Sequence, residues 1–258
     1  MKIKVTASIV LYKNDYEILN KAISSFLETK MNVFLYLIDN SPSDELRQLT
    51  SRNRVEYVHN PSNPGFGASH NVAIKKAFEV NSEYHLILNP DIYFNSGSLE
   101  TIVSFMDSNL NVGHLMPQIL YPNGELQYLC KQNPTFFDML SRGFFPSFLK
   151  DIYKSKMDSF EYKNANYDNE IHNVPYLSGC FMFFRTSTLS KVGFFDERIF
   201  MYLEDADLTR RFLEFSDNVY YPKVKVYHYF AKLTHKEFKF KFITIKSAVT
   251  YFNKWGWF

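Results

Sequence analysis

Between residues 3 and 91 the chain alternates four times between short apolar, β-branched runs and stretches of helical period, and this rhythm constrains the fold most. The run at 3–11 (IKVTASIVL) reads as a buried strand. Asp15 then stands as N-cap to a helix in which Ile18, Leu19, Ala22, Ile23, Phe26 and Leu27 recur every three or four residues. Further strands are expected at 33–38, 55–58 and 84–88, with a short helix after the second and a helix through Phe78 after the third. Such alternation builds a mostly parallel sheet flanked by helices, an α/β fold, because parallel neighbours need a crossover between them. Ligands on such sheets gather at the carboxyl ends of the strands. Tyr12, Asp39-Asn40, Asn89 and Asp91 all fall at those ends, so one crevice could collect them.

After about residue 115 the rhythm changes. Tyr121-Pro-Asn-Gly124 reads as a hairpin turn, and 131–172 as an irregular lid or acceptor-facing insertion. Order returns at 176–185, in a helix from Leu203 to Phe215, and in a strand from Val219 to Val226 that ends at His228. A last amphipathic stretch runs over 236–255. With 258 residues, 46% of them hydrophobic, the chain can bury a sizeable core as one large domain or two fused halves. No apolar run approaches the roughly 18–20 residues that cross a bilayer, no charged-then-apolar leader opens the chain, and two cysteines are too few for a disulfide framework. A soluble cytoplasmic protein is the expectation.

The net charge of +2 hides an asymmetry: residues 223–258 carry eight lysines and one acid, a balance of +7, so the rest sums to −5. That basic, aromatic end suits an anionic surface as partner, or equally a solvated helix face. Aromatic residues make up 18% of the chain, and most are expected to fill the core in place of smaller apolar residues.

Dinucleotide binding is disfavoured, because the turn after the first strand (Tyr12-Lys13-Asn14-Asp15) holds no glycine and Gly65-Phe66-Gly67 lacks the third glycine of the fingerprint. Asn89-Pro90-Asp91 sets an amide and a carboxylate just past a buried strand, where a hard divalent cation could bridge to phosphate oxygens; the same tripeptide is also good turn chemistry. Glu204, Asp205 and Asp207 open a helix, where acids complement the helix dipole. Glu204 and Asp207 share a face while Asp205 points elsewhere, so capping need not explain all three, and a carboxylate there could act as general base. His228, between Tyr227 and Tyr229, is either structural or an extra metal ligand.

Taken in order, ASIVLYKND (7–15), LIDNSPSD (37–44), NPGFGASHNVAI (63–74), LILNPDIYF (86–94), YLSGCFMFFR (176–185), VGFFDERIFMYLEDADLTRR (192–211) and the histidine of VYHY (226–229) resemble family 2 glycosyltransferases of the GT-A fold, in particular the rhamnosyltransferase-like branch. The resemblance spans about residues 3–229. It implies a GT-A, Rossmann-like sheet with a C-terminal helical extension. Tyr12 and Asp39 then match positions that contact the nucleotide base, and Asn71 a position beside the nucleotide. Asn89 and Asp91 match the two ends of the D-x-D motif, Asn89 on the nucleotide side and Asp91 as metal ligand. Asp205, with Glu204 as the other candidate, matches the catalytic base, and His228 the late histidine that completes the metal site. Asn89 in place of the first carboxylate removes one anionic ligand, and Leu11 and Lys13 depart from the usual Thr and Asn.

On this reading residues 1–229 form one glycosyltransferase domain, with a nucleotide-sugar half over about 1–115 and an acceptor half over 116–229, followed by a basic aromatic helix over 230–258. The implied activity is inverting transfer of a sugar, with L-rhamnose from dTDP-L-rhamnose the leading donor, to a glycan or polyprenyl-diphosphate-linked acceptor. Mg²⁺ or Mn²⁺ is the implied cofactor. The stretch 236–255 is a candidate contact for the inner face of the cytoplasmic membrane, or else packs on the domain or in a homodimer. No nucleic-acid partner is expected. A non-catalytic glycan- or nucleotide-binding module and a sugar nucleotidyltransferase are the alternatives. The latter lacks its glycine-rich phosphate loop here.

Overall fold

A computed structural model of the chain describes residues 2–50, 52–139, 147–230 and 238–257. Strand β1 (Val5–Leu11) pairs in parallel with β2 (Val33–Asp39), and β2 in turn with β3 (Val55–His59). On its other side β1 pairs in parallel with β4 (Tyr84–Leu88). Helix α1 (Tyr16–Leu27) connects β1 to β2, and its start is set by Asp15, whose Oδ1 accepts from the Ile18 amide at 3.0 Å. A 3₁₀ turn over Glu45–Thr50 follows β2, and helix α2 (Phe66–Glu79) returns the chain to β4.

Beyond β4 the sheet is mixed. Three strands follow in the chain, β5 (Ile92–Phe94), β6 (Val112–Leu120) and, far downstream, β10 (Phe181–Arg185). β10 lies antiparallel between β4 and β6. β11 (Asp217–His228) runs parallel to β6 and antiparallel to β5, so the central order is β3-β2-β1-β4-β10-β6-β11-β5. A short strand β8 (Ile171–His172) also pairs with β11, and β7 (Cys130–Lys131) with β9 (Tyr176–Leu177) forms a separate ladder. The hairpin expected at 121–124 is present, with the Gly124 amide donating to Tyr121 O at 2.9 Å.

Both faces of the sheet are covered. Val5, Ala7, Ile9 and Leu11 of β1 pack with Leu19, Ile23 and Phe26 of α1 and with Leu99, Ile102 and Met106 of α3 (Ser98–Ser108). On the opposite face Ile87, Met182 and Phe184 meet Ile74 of α2, Leu189 of α5 (Thr186–Val192), and Leu208 and Phe212 of α6 (Glu204–Phe212). Each such fully buried side chain stabilises by about 1.5–3 kcal/mol. Tyr84, Phe181, Phe183, Phe184 and Tyr220 are among them, so much of the aromatic excess is core.

Several elements depart from the sequence reading. α3 and β6 escaped it, although Leu99, Ile102, Val103 and Met106 have helical spacing. The 131–172 stretch is not wholly irregular: it contains helix α4 (Ser147–Phe160), while residues 140–146 lie outside the described ones. α6 begins one residue late because Tyr202 and Leu203 both adopt left-handed backbone, each with φ of 70°.

The last helix, α7 (Phe238–Trp255), packs on α6 through Ala248, Tyr251 and Phe252 against Leu203, Ala206 and Tyr176. Asp207 secures it, accepting from Lys254 Nζ at 2.6 Å and Trp255 Nε1 at 2.8 Å while also pairing with Arg211. Phe242 and Ile245, 67% and 52% exposed, do not pack on the body, and Val249 continues that exposed stripe. Residues 236 and 237 of the expected stretch lie outside the described residues. Among the described residues no helix is long and apolar enough to cross a membrane.

Candidate active site

Strand ends supply the first part of the site. The β1–β2 register places Leu11 opposite Asp39, so Tyr12 and Asn40 leave the sheet side by side. Tyr12 is half exposed. Asp39 is fully buried: its Oδ2 accepts from Tyr57 Oη at 2.6 Å and its Oδ1 from the Ser41 amide at 2.8 Å. Burial, then the bond to Asp39, pushes the Tyr57 phenol well above its ordinary range. Tyr57 is thus a partner that sequence reading missed.

Asn71 lies within α2, and its amide is spent on the chain that precedes α6. It donates to Phe195 O and Glu197 Oε1 and accepts from the Phe195 amide, each at 3.0 Å. The same chain is held again where the Phe66 amide donates to Phe200 O at 2.9 Å. Gly65, with φ of 108°, permits that approach, since a Cβ there would overlap the Phe200 carbonyl.

The Asn89–Asp91 turn and the start of α6 are drawn together by one short segment, Ser178-Gly179-Cys180. Cys180 O accepts from the Asn89 amide at 2.9 Å, and the next amide back, Gly179 N, donates to Asp205 Oδ2 at 2.8 Å. Both Asp91 and Asp205 bear electrostatically on the buried Cys180 thiol, which burial first of all pushes up to about 12. Lys131 acts on the same thiol in the opposite sense. The carboxylates of Asp91 and Asp205 therefore flank one backbone strap.

At α6 the two neighbouring acids differ. Asp205 accepts from Gly179 N, from Tyr176 Oη at 3.1 Å and from the Ala206 amide at 2.9 Å. Glu204 is buried, its Oε2 without a hydrogen-bond partner among the described residues, and burial followed by the charge of Asp205 holds its carboxyl well above the usual range. None of the three acids is the N-cap, a position taken by Leu203. Gly179 leaves little room beside Asp205, for an added Cβ would stand 3.0 Å from the Asp205 Cβ.

His228 ends β11 opposite Ile92, and the Tyr229 amide donates to Asp91 O at 3.1 Å. This register sets His228 Nε2 3.3 Å from Asp91 Oδ1, with the imidazole buried and the carboxylate one-fifth exposed. Among the described residues no cluster of three or more His, Cys, Asp and Glu side chains could hold a metal ion. One imidazole nitrogen and one carboxylate oxygen fit a hard divalent cation that takes its remaining ligands from phosphate oxygens and water.

The comparisons with known proteins agree with this geometry. The family model for glycosyl transferase family 2 matches residues 8–193. The N-acetylglucosaminyl-diphospho-decaprenol L-rhamnosyltransferase of Mycobacterium tuberculosis is 27% identical over 222 residues, 82% of this chain and 71% of that protein. Rhamnosyltransferase WbbL of Escherichia coli is 30% identical over 151 residues, covering 57% of this chain and 53% of WbbL. Among solved structures, the mannosyltransferase PcManGT of Pyrobaculum calidifontis, in complex with GDP-Man and Mn²⁺, superposes with a TM-score of 0.61 at 14% identity, over 97% of this chain and 63% of that one. S. aureus TarS gives 0.59 at 18% identity over 97% of this chain, which spans only 40% of TarS. The fold is that of GT-A glycosyltransferases. By its sequence match, the chain belongs to glycosyl transferase family 2 and is rhamnosyltransferase-like.

Proposed function

We propose that the chain, one catalytic unit over 1–229 with a helical extension, transfers a sugar from a nucleotide-diphospho-sugar, dTDP-L-rhamnose first among donors, to a hydroxyl of a glycan or polyprenyl-diphosphate-linked acceptor. The observation that carries the reading is the strap at 178–180, which brings Asp91 and Asp205 to one place beside the strand ends. The half-exposed Tyr12 ring offers a stacking face for the base, and Asp39 and Asn89 are the other residues assigned to the nucleotide. Asn71 acts through the Phe195–Glu197 segment it holds.

Asp205 accepts the proton of the acceptor hydroxyl as that oxygen bonds to the anomeric carbon. The anomeric C–O bond to the diphosphate breaks as the new one forms, and its electron pair leaves with the diphosphate. One in-line displacement inverts the configuration, with no covalent enzyme intermediate. Asp91 and His228 would hold Mg²⁺ or Mn²⁺, which when bound supplies charge balance for the departing diphosphate. Burial and the charge of Asp205 hold the Glu204 carboxyl well above the usual range, which favours Asp205 as the base of the pair.

The diphospho-decaprenol acceptor in the name of the Mycobacterium tuberculosis relative supports a lipid-linked substrate, and the exposed Phe242, Ile245 and Val249 stripe with Lys246 supports peripheral contact with an anionic inner-membrane surface. Flotation with anionic liposomes checks that contact; absence of salt-sensitive binding, or a dimer that buries the stripe, removes it. The main test is release of nucleoside diphosphate from a panel of nucleotide-sugars, with and without Mn²⁺ or Mg²⁺. Cation-dependent turnover of dTDP-L-rhamnose is expected. Binding without turnover of any donor would favour the non-catalytic alternative.

A further inference from the structure

Gln127 is buried just beyond the Tyr121–Gly124 turn, where its own amide N–H donates to Ile119 O at 2.9 Å. Its side-chain nitrogen faces two backbone carbonyls, His228 O at 3.0 Å and Leu120 O at 3.4 Å. Carbonyl oxygens only accept, so this end of the side-chain amide must be the NH₂. The other end is then the oxygen Oε1, and it stands 3.0 Å from His228 Nδ1. An amide oxygen cannot donate, so Nδ1 must carry the hydrogen. Neutral His228 is left with its lone pair on Nε2, the atom 3.3 Å from Asp91 Oδ1. Two acceptors so close repel one another unless something positive lies against both. The backbone anchor at Ile119 and the two carbonyl bonds prevent the amide from turning over.

We propose that Gln127 is a positioning residue that locks His228 as the Nδ1–H tautomer, so that Nε2 and Asp91 together present a ligand pair to a divalent cation. The cation half of this assignment rests on the metal reading given above; the tautomer half does not. The pattern is familiar in metal proteins, where a second hydrogen bond to the imidazole fixes which nitrogen ligates. Here the partner is an amide that also clasps the histidine's own carbonyl, so ring and backbone are held by one side chain.

Long-range ¹H–¹⁵N spectra of the ¹⁵N-labelled, metal-free protein at alkaline pH read the tautomer directly. In the wild type, Nδ1 of His228 should resonate as a protonated nitrogen and Nε2 as an unprotonated one. Gln127→Met removes the acceptor, and the ring should shift toward the Nε2–H form, paired with Asp91. Mn²⁺ affinity, read by electron paramagnetic resonance of the free ion, should fall about 10- to 100-fold. Gln127→Glu keeps an acceptor for Nδ1–H and should keep the Nδ1–H tautomer, at a cost in stability because its second oxygen has no hydrogen to give His228 O and Leu120 O. A wild-type Nε2–H signal overturns the proposal, as does a folded Gln127→Met protein with unchanged tautomer and Mn²⁺ affinity. Should Gln127→Met fail to fold, the wild-type spectrum and the Gln127→Glu protein still decide. An Nδ1–H wild type that binds no Mn²⁺, alone or with a nucleoside diphosphate, would remove the metal reading and the cation half, and leave the tautomer assignment standing.

Discussion

The two halves of the sheet position chemistry in different ways. In the first half, Tyr12, Asp39, Asn89 and Asp91 sit where they do because parallel strands end within about two residues of one another, and the backbone ladder does the placing. In the second half, Asp205 and Glu204 open α6 outside any ladder, with a few side-chain-to-backbone bonds such as Gly179 N to Asp205 and Ser247 Oγ to Met201 O around them, and the ring of His228, whose backbone the β11–β5 ladder places, is clasped by Gln127. A ladder has many redundant bonds, whereas a strap has one or two. Substitutions in the second half should therefore damage turnover in proportion to how they disturb a strap, and those in the first half should damage binding with the scaffold intact.

The largest effect is expected at Asp205. Asp205→Asn keeps the size of the side chain but removes the proton acceptor, and turnover should fall about 10³-fold, in the range that general-base removal gives. Donor affinity, measured by calorimetry, should stay within about twofold, because the base contributes to bond making rather than to ground-state binding. Wild-type turnover in this variant would end the assignment of Asp205.

At Asp91 the expected loss is of another kind. Loss of residues that merely support a ligand weakens metal sites 10- to 100-fold, so Asp91→Ala should weaken Mn²⁺-dependent donor binding by about a hundredfold or more. The melting temperature should hardly move, since the carboxylate is partly exposed and its side chain belongs to no buried cluster. Unchanged metal dependence would count against the site.

Gly179→Ala tests the strap itself. The new Cβ would press on Asp205 Cβ at 3.0 Å and Oδ2 at 3.2 Å, forcing a shift of a few tenths of an ångström. Since misplacement by about 1 Å can cost a hundredfold, a loss of roughly tenfold in turnover is expected with donor affinity retained. If the second half were as redundantly held as the first, this variant would be indistinguishable from wild type.

The same contrast decides what a reader of the sequence can see. Asp15 is legible as a cap because its partner, Ile18, is three residues away. Asp39 and Asp91 are legible because an apolar run announces each strand and its end. Tyr57, Tyr176 and Gln127 are not, because their partners lie 18, 29 and 101 residues distant and nothing local marks the pairing. Asp207 falls between: Arg211 at i+4 is a visible signal, but Lys254 and Trp255 meet it only once α7 docks.

The smallest effect concerns stability rather than rate, and it separates Glu204 from its neighbour. Burial and the charge of Asp205 raise the Glu204 carboxyl well above 4.5, the ordinary value expected in the unfolded chain. Between the unfolded and folded pKa values the folded chain holds a proton that the unfolded chain has released. Stability from this group is therefore fully present below the unfolded pKa and declines as pH rises toward the folded one. Glu204→Gln has no proton to lose and removes that slope. Urea titrations at about pH 5 and pH 8 should show wild type losing more stability than the variant over that interval. Parallel pH dependences for the two proteins would mean that Glu204 ionises freely. The start of α6 would then hold two charged acids, Asp205 would lose its neutral neighbour, and the choice of base between them would reopen.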